Sequence, residues 1–233
     1  MITKRCHKDR GVTVGGWLES KHSFSFGRYH DPRNMGYGPL RVINEDRIRP
    51  GAGFGTHDHE NMEIITWVLS GRVAHRDSTG SESELAPGEI QLMSAGRGIQ
   101  HSEYNRSEDE ELHLLQIWIM PNEVNTQPGY QQQKLAVGDL ENEFRLLVSP
   151  DGAEGSLVIQ QQARLFGGRF RAGSELTRTL NHGQRYWLQV ARGRITVGEI
   201  EGESGDGFAL EGEDQLRIAN ETDSEVLLFE LPR

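Results

Sequence analysis

The chain has 233 residues, enough for one large or two small domains with cores of their own. Its 35 acidic against 25 basic side chains give a formal net charge of −10, and no concentrated basic patch offsets it, which argues against direct nucleic-acid binding. No window approaches the length of a membrane span and Cys6 is the single cysteine, so no internal disulfide can form and a soluble, cytoplasmic, monomeric protein is expected.

Glycine is abundant at 28 residues, and valines and isoleucines sit in short runs between turn signals, which favours an all-β chain. From Gly11 to Tyr37 aromatic and turn residues predict a short strand and then a long loop. Asp31-Pro32 and Met35-Gly36 stop any helix there, and His22 and His30 read as exposed loop histidines. Leu40 to Ile48 is the next predicted strand, ending at Pro50-Gly51-Ala52-Gly53.

Gly55-Thr56-His57-Asp58-His59 follows directly. In a strand, residues i and i+2 point to one face, so His57 and His59 project side by side, and His101 and Glu103 do the same on a later strand. Two such pairs can close around one ion. Imidazole suits Fe, Cu, Ni and Zn, and three imidazoles with one carboxylate leave positions free for water, O2 or substrate, which points to catalysis rather than structure. Fe(II) is the expected ion, with Cu, Ni, Zn, Mn or Co as alternatives. Glu63 has the same parity as the histidine pair and competes for the carboxylate role, although its Cα falls roughly 13 Å beyond His59 along an unbent strand. Metal occupancy is expected to fall below a pH of about 6.5, where protons compete for imidazole nitrogens.

Further strands are predicted over Ile64 to Leu69, Arg72 to His75, Glu89 to Met93 and Leu112 to Met120. His75 reads as a surface strand residue; His113 has no partner at i+2 to recommend it as a ligand. Phe54, Met93 and Ile99 are expected to line a pocket beside the ligands. The polar stretch 122–133, with Pro128-Gly129 and a glutamine run, is the expected linker between an N-terminal domain (1–121) and a C-terminal one (134–233). Tyr186 to Gly193 echoes Thr66 to Gly71, Gly205 to Phe208 echoes Pro87 to Ile90, and Val226 to Pro232 echoes Leu114 to Pro121, the sign of a duplicated unit. The second copy has only Thr177 and Thr179 where the histidine pair stands, and Leu216 and Arg217 near the place of His101, so it is expected to hold no metal and to serve packing.

Gly51-x5-His57-x-His59-x3-Glu63 with Gly71 resembles the first cupin motif, its final gap one residue longer. Gly88, Gly96, His101 and Asn105 resemble the second, with Ser94 where proline is usual and His101 two residues later than the common spacing. Joined to Phe24-Ser25-Phe26, Tyr29-His30-Asp31-Pro32, Leu40-Arg41-Val42-Ile43-Asn44 and Ser94-Ala95-Gly96-x-Gly98-Ile99-x-His101-Ser102-Glu103, they make the chain similar to the pirin family over essentially its whole length. That resemblance implies a bicupin of two stacked double-stranded β-helix (jelly-roll) barrels. It implies a metal held in the N-terminal barrel by His57, His59, His101 and Glu103, with Glu103 rather than Glu63 as the carboxylate and proton acceptor. The implied activity is opening of flavonols such as quercetin by O2 with release of carbon monoxide. The family also implies two alternatives, a metal-binding regulatory protein acting through a protein partner, and a barrel acting on some other small enol or phenol.

Overall fold

The computed structural model describes residues 1–136 and 138–233. These form two compact units, one made of Gly11–Leu135 with Ile159–Gln161, the other of Met1–Arg10, Ala136–Val158 and Gln162–Arg233. The chain opens with β1 (Ile2–Arg5), a strand of the second unit. The first unit then runs through β2 (Gly11–Gly15), β3 (Leu18–His22), β4 (Leu40–Ile48), β5 (Gly53–His59), β6 (Glu63–Ser70) and β7 (Val73–Asp77). It continues with β8 (Glu82–Leu85), β9 (Glu89–Ser94), β10 (Ile99–Tyr104), β11 (Leu112–Ile119) and β12 (Gly129–Lys134). Among the described residues one sheet has the order β12-β9-β6-β11-β4-β3-β2 and the other β5-β10-β7-β8.

The sequence explains the division of labour. β6 reads Glu-Ile-Ile-Thr-Trp-Val-Leu-Ser and is buried along all but its last residue, as a central strand covered on both faces must be. β5 reads Gly-Phe-Gly-Thr-His-Asp-His and is an edge strand, half-buried and exposed by turns. Gly71 ends β6 at a φ of +78°, where an added Cβ would sit 2.8 Å from the Glu111 carbonyl oxygen, so the chain can reverse there only with glycine.

The second unit repeats the plan with β13 (Arg145–Ser149), β14 (Leu157–Val158), β15 (Arg164–Phe170), β16 (Glu175–Thr179) and β17 (Gln184–Arg192). β18 (Arg194–Val197), β19 (Ile200–Glu203), β20 (Gly207–Leu210), β21 (Gln215–Asn220) and β22 (Ser224–Pro232) complete it. Its sheets run β1-β20-β17-β22-β15-β13-β14 and β16-β21-β18-β19, the same order as in the first unit with β1 where that unit has β12. The all-β bicupin architecture is thus present, and the echoes in the sequence mark equivalent strands.

The two interiors differ. In the second unit one apolar cluster joins Phe208, Leu188 and Leu228 of the larger sheet to Ile195, Leu216 and Ile218 of the smaller. In the first unit two apolar groups stand apart, one around Ile48, Val68 and Leu114, another around Ile64, Met93 and Ile99. Buried His, Glu, Gln and Thr side chains, among them His101, Glu103, Gln116 and Thr66, also belong to this unit.

Three expectations change. Residues 11–22 are a hairpin of two strands rather than one short strand. Gly129–Lys134, expected within or beside a linker, pairs with β9 from Gly129↔Ser94 to Lys134↔Glu89; an edge strand can be polar, which is why its glutamines read as a connection. Met1–Arg10, expected with the N-terminal domain, belongs to the second unit because β1 pairs with β20 from Ile2↔Leu210 to Arg5↔Gly207. Among the described residues no helix is long and apolar enough to cross a membrane.

Candidate metal centre

β10 lies between β5 and β7, and its register brings the distant histidines together. His101 stands opposite His57, and on its other side opposite Asp77; Glu103 stands opposite His75. Between His101 and Glu103 the pairing with β5 shifts, so that Glu103 faces Phe54 and β5 carries one extra residue, a bulge of the kind that re-aims side chains at sites. His57, His59 and His101 each offer a nitrogen within 4.8 Å of the others. Their ring centroids are 4.4 to 4.9 Å apart.

His101 is 1% exposed, and neither of its ring nitrogens has a hydrogen-bond partner among the described residues. Buried polar atoms are nearly always satisfied, so an orphaned imidazole beside two others marks a place for a ligand. His57 Nδ1 lies 2.8 Å from the Gly55 carbonyl oxygen; donating its proton there leaves Nε2 with a free lone pair. Burial and then the neighbouring imidazoles push His59 down to about 4 and His101 to about 3. Both are therefore neutral, the form that binds metal.

Glu103 is 3% exposed. Gln116 Nε2 donates to its Oε2 at 2.8 Å, while among the described residues Oε1 has only the Thr66 hydroxyl at a long 3.5 Å. Burial, and then the charge of Asp46, push its carboxyl up to about 7. Glu103 forms a second cluster within 4.8 Å with His101 and His75, so the four predicted ligands are split between two triplets that share His101, the second completed by His75, which was not among them. Glu63, the rival, lies outside both: it accepts from Ser94 Oγ at 2.8 Å and the Gln160 backbone at 3.2 Å.

His75 is a correction. It is 1% exposed, not on the surface, with Nε2 3.0 Å from Asp77 Oδ2 and its ring stacked on Tyr130 at 4.7 Å. Asp77 at i+2 was the available signal, since β7 turns both residues to one side. His22 is also buried, not a loop histidine; its nitrogens lie 2.7 Å from Asn44 Oδ1 and 2.8 Å from Thr13 Oγ1. His30 is exposed as expected, and His113 is 6% exposed and paired with Glu45 at 2.9 Å. In the second unit Thr177 faces Arg217 where the first places His57 against His101. Cys6, His7 and Asp206 cluster there, but the Lys4 ammonium already occupies Asp206 at 2.8 Å.

A cavity of about 520 Å³ opens beside the cluster. His57, His59 and Glu103 line it together with Phe26, Phe54 and Trp118, and Ser20, Asn44 and Asp46 supply more polar wall. Met93 and Ile99, expected to line it with Phe54, pack instead with Ile64 and Ala95. Neutral imidazoles and a buried carboxyl beside an aromatic cavity can hold a divalent transition ion and a flat organic ligand.

The approach of β5 to β10 depends on Gly53, where an added Cβ would lie 2.2 Å from the Glu103 carbonyl oxygen and 2.5 Å from Tyr104 Cα. Backbone cannot swing aside, so Gly53→Ala is expected to destabilise the protein by about 1–3 kcal/mol and to weaken metal binding. Thermal melts with metal titration check this; unchanged values for both would mean that the two strands part freely here.

Residues 4–119 match a family model described as Pirin, and residues 146–231 one described as Quercetinase C-terminal cupin domain. The chain is 44% identical to a quercetin 2,3-dioxygenase of Escherichia coli (strain K12), covering 100% of this chain and 99% of that one. It is 37% identical to a pirin-like protein of Caulobacter vibrioides, with 99% of each covered. The crystal structure of the bacterial pirin YhhW from Escherichia coli in complex with nickel(II) superposes with a TM-score of 0.94 at 44% identity, covering 100% of this chain and 99% of that one.

Proposed function

The chain belongs to the pirin family, and on that premise we propose that it is an enzyme, a metal-dependent dioxygenase that opens flavonols such as quercetin with O2 and releases carbon monoxide. His57, His59, His101 and Glu103 hold the ion in this proposal, with Fe(II) as the native metal. The observation that carries it is the buried His101, whose two nitrogens lack partners while His57 and His59 stand within 4.8 Å.

The donor set fits a divalent ion: neutral nitrogens and one carboxylate would leave a net charge near +1, suited to a deprotonated flavonol 3-hydroxyl. When bound, such an ion supplies Lewis acidity toward that hydroxyl. The protein does the rest. Glu103 accepts the hydroxyl proton on Oε1, the oxygen that Gln116 leaves open. Phe54 and Trp118 hold the ring system and keep water from the activated carbon skeleton.

Turnover tests the proposal. Protein loaded with Fe(II), and separately with Ni(II), is expected to consume quercetin and O2 and to evolve carbon monoxide; failure with both ions would overturn it. Glu103→Gln is expected to lower kcat more than flavonol binding, whereas Glu63→Gln, whose carboxylate ties Ser94 to the Gln160 backbone, is expected to act mainly on stability. Loss of metal and turnover in Glu63→Gln alone would assign the carboxylate to Glu63.

A further inference from the structure

We propose that Asp46 is a substrate-binding residue, its Oδ1 accepting a hydrogen bond from a second hydroxyl of a polyhydroxylated aromatic held in the cavity of the metal ligands. The proposal rests on the flavonol dioxygenase reading and specifies the substrate class further.

Asp46 sits on β4, opposite Ser20 of β3 and Leu114 of β11. It is 3% exposed and lines the cavity. The Ser20 hydroxyl hydrogen-bonds to it, yet Oδ1 is buried with no partner among the described residues. The other buried carboxylates of this barrel are engaged: Glu63 with Ser94, Asp77 with Thr79 and His75, Glu103 with Gln116. A buried acceptor left open is exceptional and is expected to be satisfied by whatever fills the cavity. The neighbouring polar wall does not compete, because His22 bridges Asn44 and Thr13.

The cavity dictates what can reach it. Phe26, Phe54 and Trp118 accept a flat ring system, and the buried Trp118 Nε1 is a further donor without a partner among the described residues. A carboxylate wants a donor, so a phenolic hydroxyl is favoured, a methyl ether offers no proton, and an aromatic acid is repelled. Sites built to hydrogen-bond a substrate hydroxyl reject analogues that lack it.

The test compares quercetin with 3-hydroxyflavone, which keeps the 3-hydroxyl and lacks the others. Binding to metal-loaded protein is measured without O2 by quenching of tryptophan fluorescence, with metal content and melting temperature recorded for each variant. Wild type is expected to prefer quercetin by about tenfold or more. Asp46→Ala is expected to erase that preference, read as the ratio of the two affinities so that any change both flavonols share through Glu103, whose carboxyl the Asp46 charge raises, cancels, and Asp46→Asn to reduce it in the same direction because the charge assistance is lost. Should Asp46→Ala fail to fold, Asp46→Asn decides. Equal losses for both flavonols, or none for either, would overturn the role of Asp46 alone. Wild type that binds neither flavonol would overturn the dioxygenase reading and this proposal with it.

Discussion

Protein carrying His101→Ala is expected to lose tight metal binding by more than the roughly 10–100-fold that removal of an outer hydrogen-bonding partner of a ligand costs. His101 is the one residue common to both ligand clusters, and it stands directly opposite His57 in the strand pairing. Its removal strands His57 and His59 on one side and Glu103 on the other. His182→Ala is the control, because His182 is exposed and pairs only with Asp214 among the described residues, at 2.6 Å. Metal analysis of protein purified without chelator should return one ion per chain for wild type and His182→Ala and none for His101→Ala. Two ions per chain would implicate the Cys6, His7 and Asp206 cluster and refute a single site.

Metal affinity is expected to rise about tenfold per pH unit up to a pH of about 7 and then to level off, with Glu103 setting the limit. Burial and Asp46 raise its carboxyl, so below about 7 an incoming ion must displace a proton from it, and above that pH it need not. His59 and His101, pushed down to about 4 and about 3, are already neutral across this range. For His59 and His101 the sequence-based expectation, in which occupancy fails as histidines protonate near 6.5, therefore gives way to Glu103 as the group that titrates in this range. Glu103→Gln should bind more weakly but with a flattened pH profile; a profile that keeps the wild-type slope would show that the imidazoles govern after all. For the metal-free protein the same shifts oppose each other. The raised Glu103 carboxyl gives stability that is lost as pH rises from about 4.5 through 7, and the lowered imidazoles give stability that is lost as pH falls from about 6.5 towards 3.

Period-two spacing made the histidine pair and the His101–Glu103 pair visible in the sequence, because strand geometry alone turns i and i+2 to one face. Pairing between distant strands was not visible that way. His75 read as surface because its burial comes from Tyr130, on a strand that the glutamine run disguised as a linker. Asp46 gives no signal in the sequence for a similar reason: within Leu40 to Ile48 nothing distinguishes it from an outward-facing strand residue, and only the packing of β3 and β11 beside β4 places it in the cavity. Met93 and Ile99 were assigned to the pocket by nearness in sequence to ligand strands, but their faces turn to a separate apolar group.

The pairing of Ile2 with Leu210 bears on how the second barrel comes into being. β1 is synthesised roughly two hundred residues before the strand it joins, and at translation rates of about 5–20 residues per second it waits on the order of 10–40 s for β20 to emerge. Its sheet therefore closes late and through a contact of very long sequence separation, which slows folding. A fragment cut at residue 134 would carry every strand of that barrel except this one. It would present the unpaired edge of β20 to solvent, an open template for strand addition by other chains, and should aggregate unless a peptide with the sequence of Ile2–Arg5 is supplied in trans.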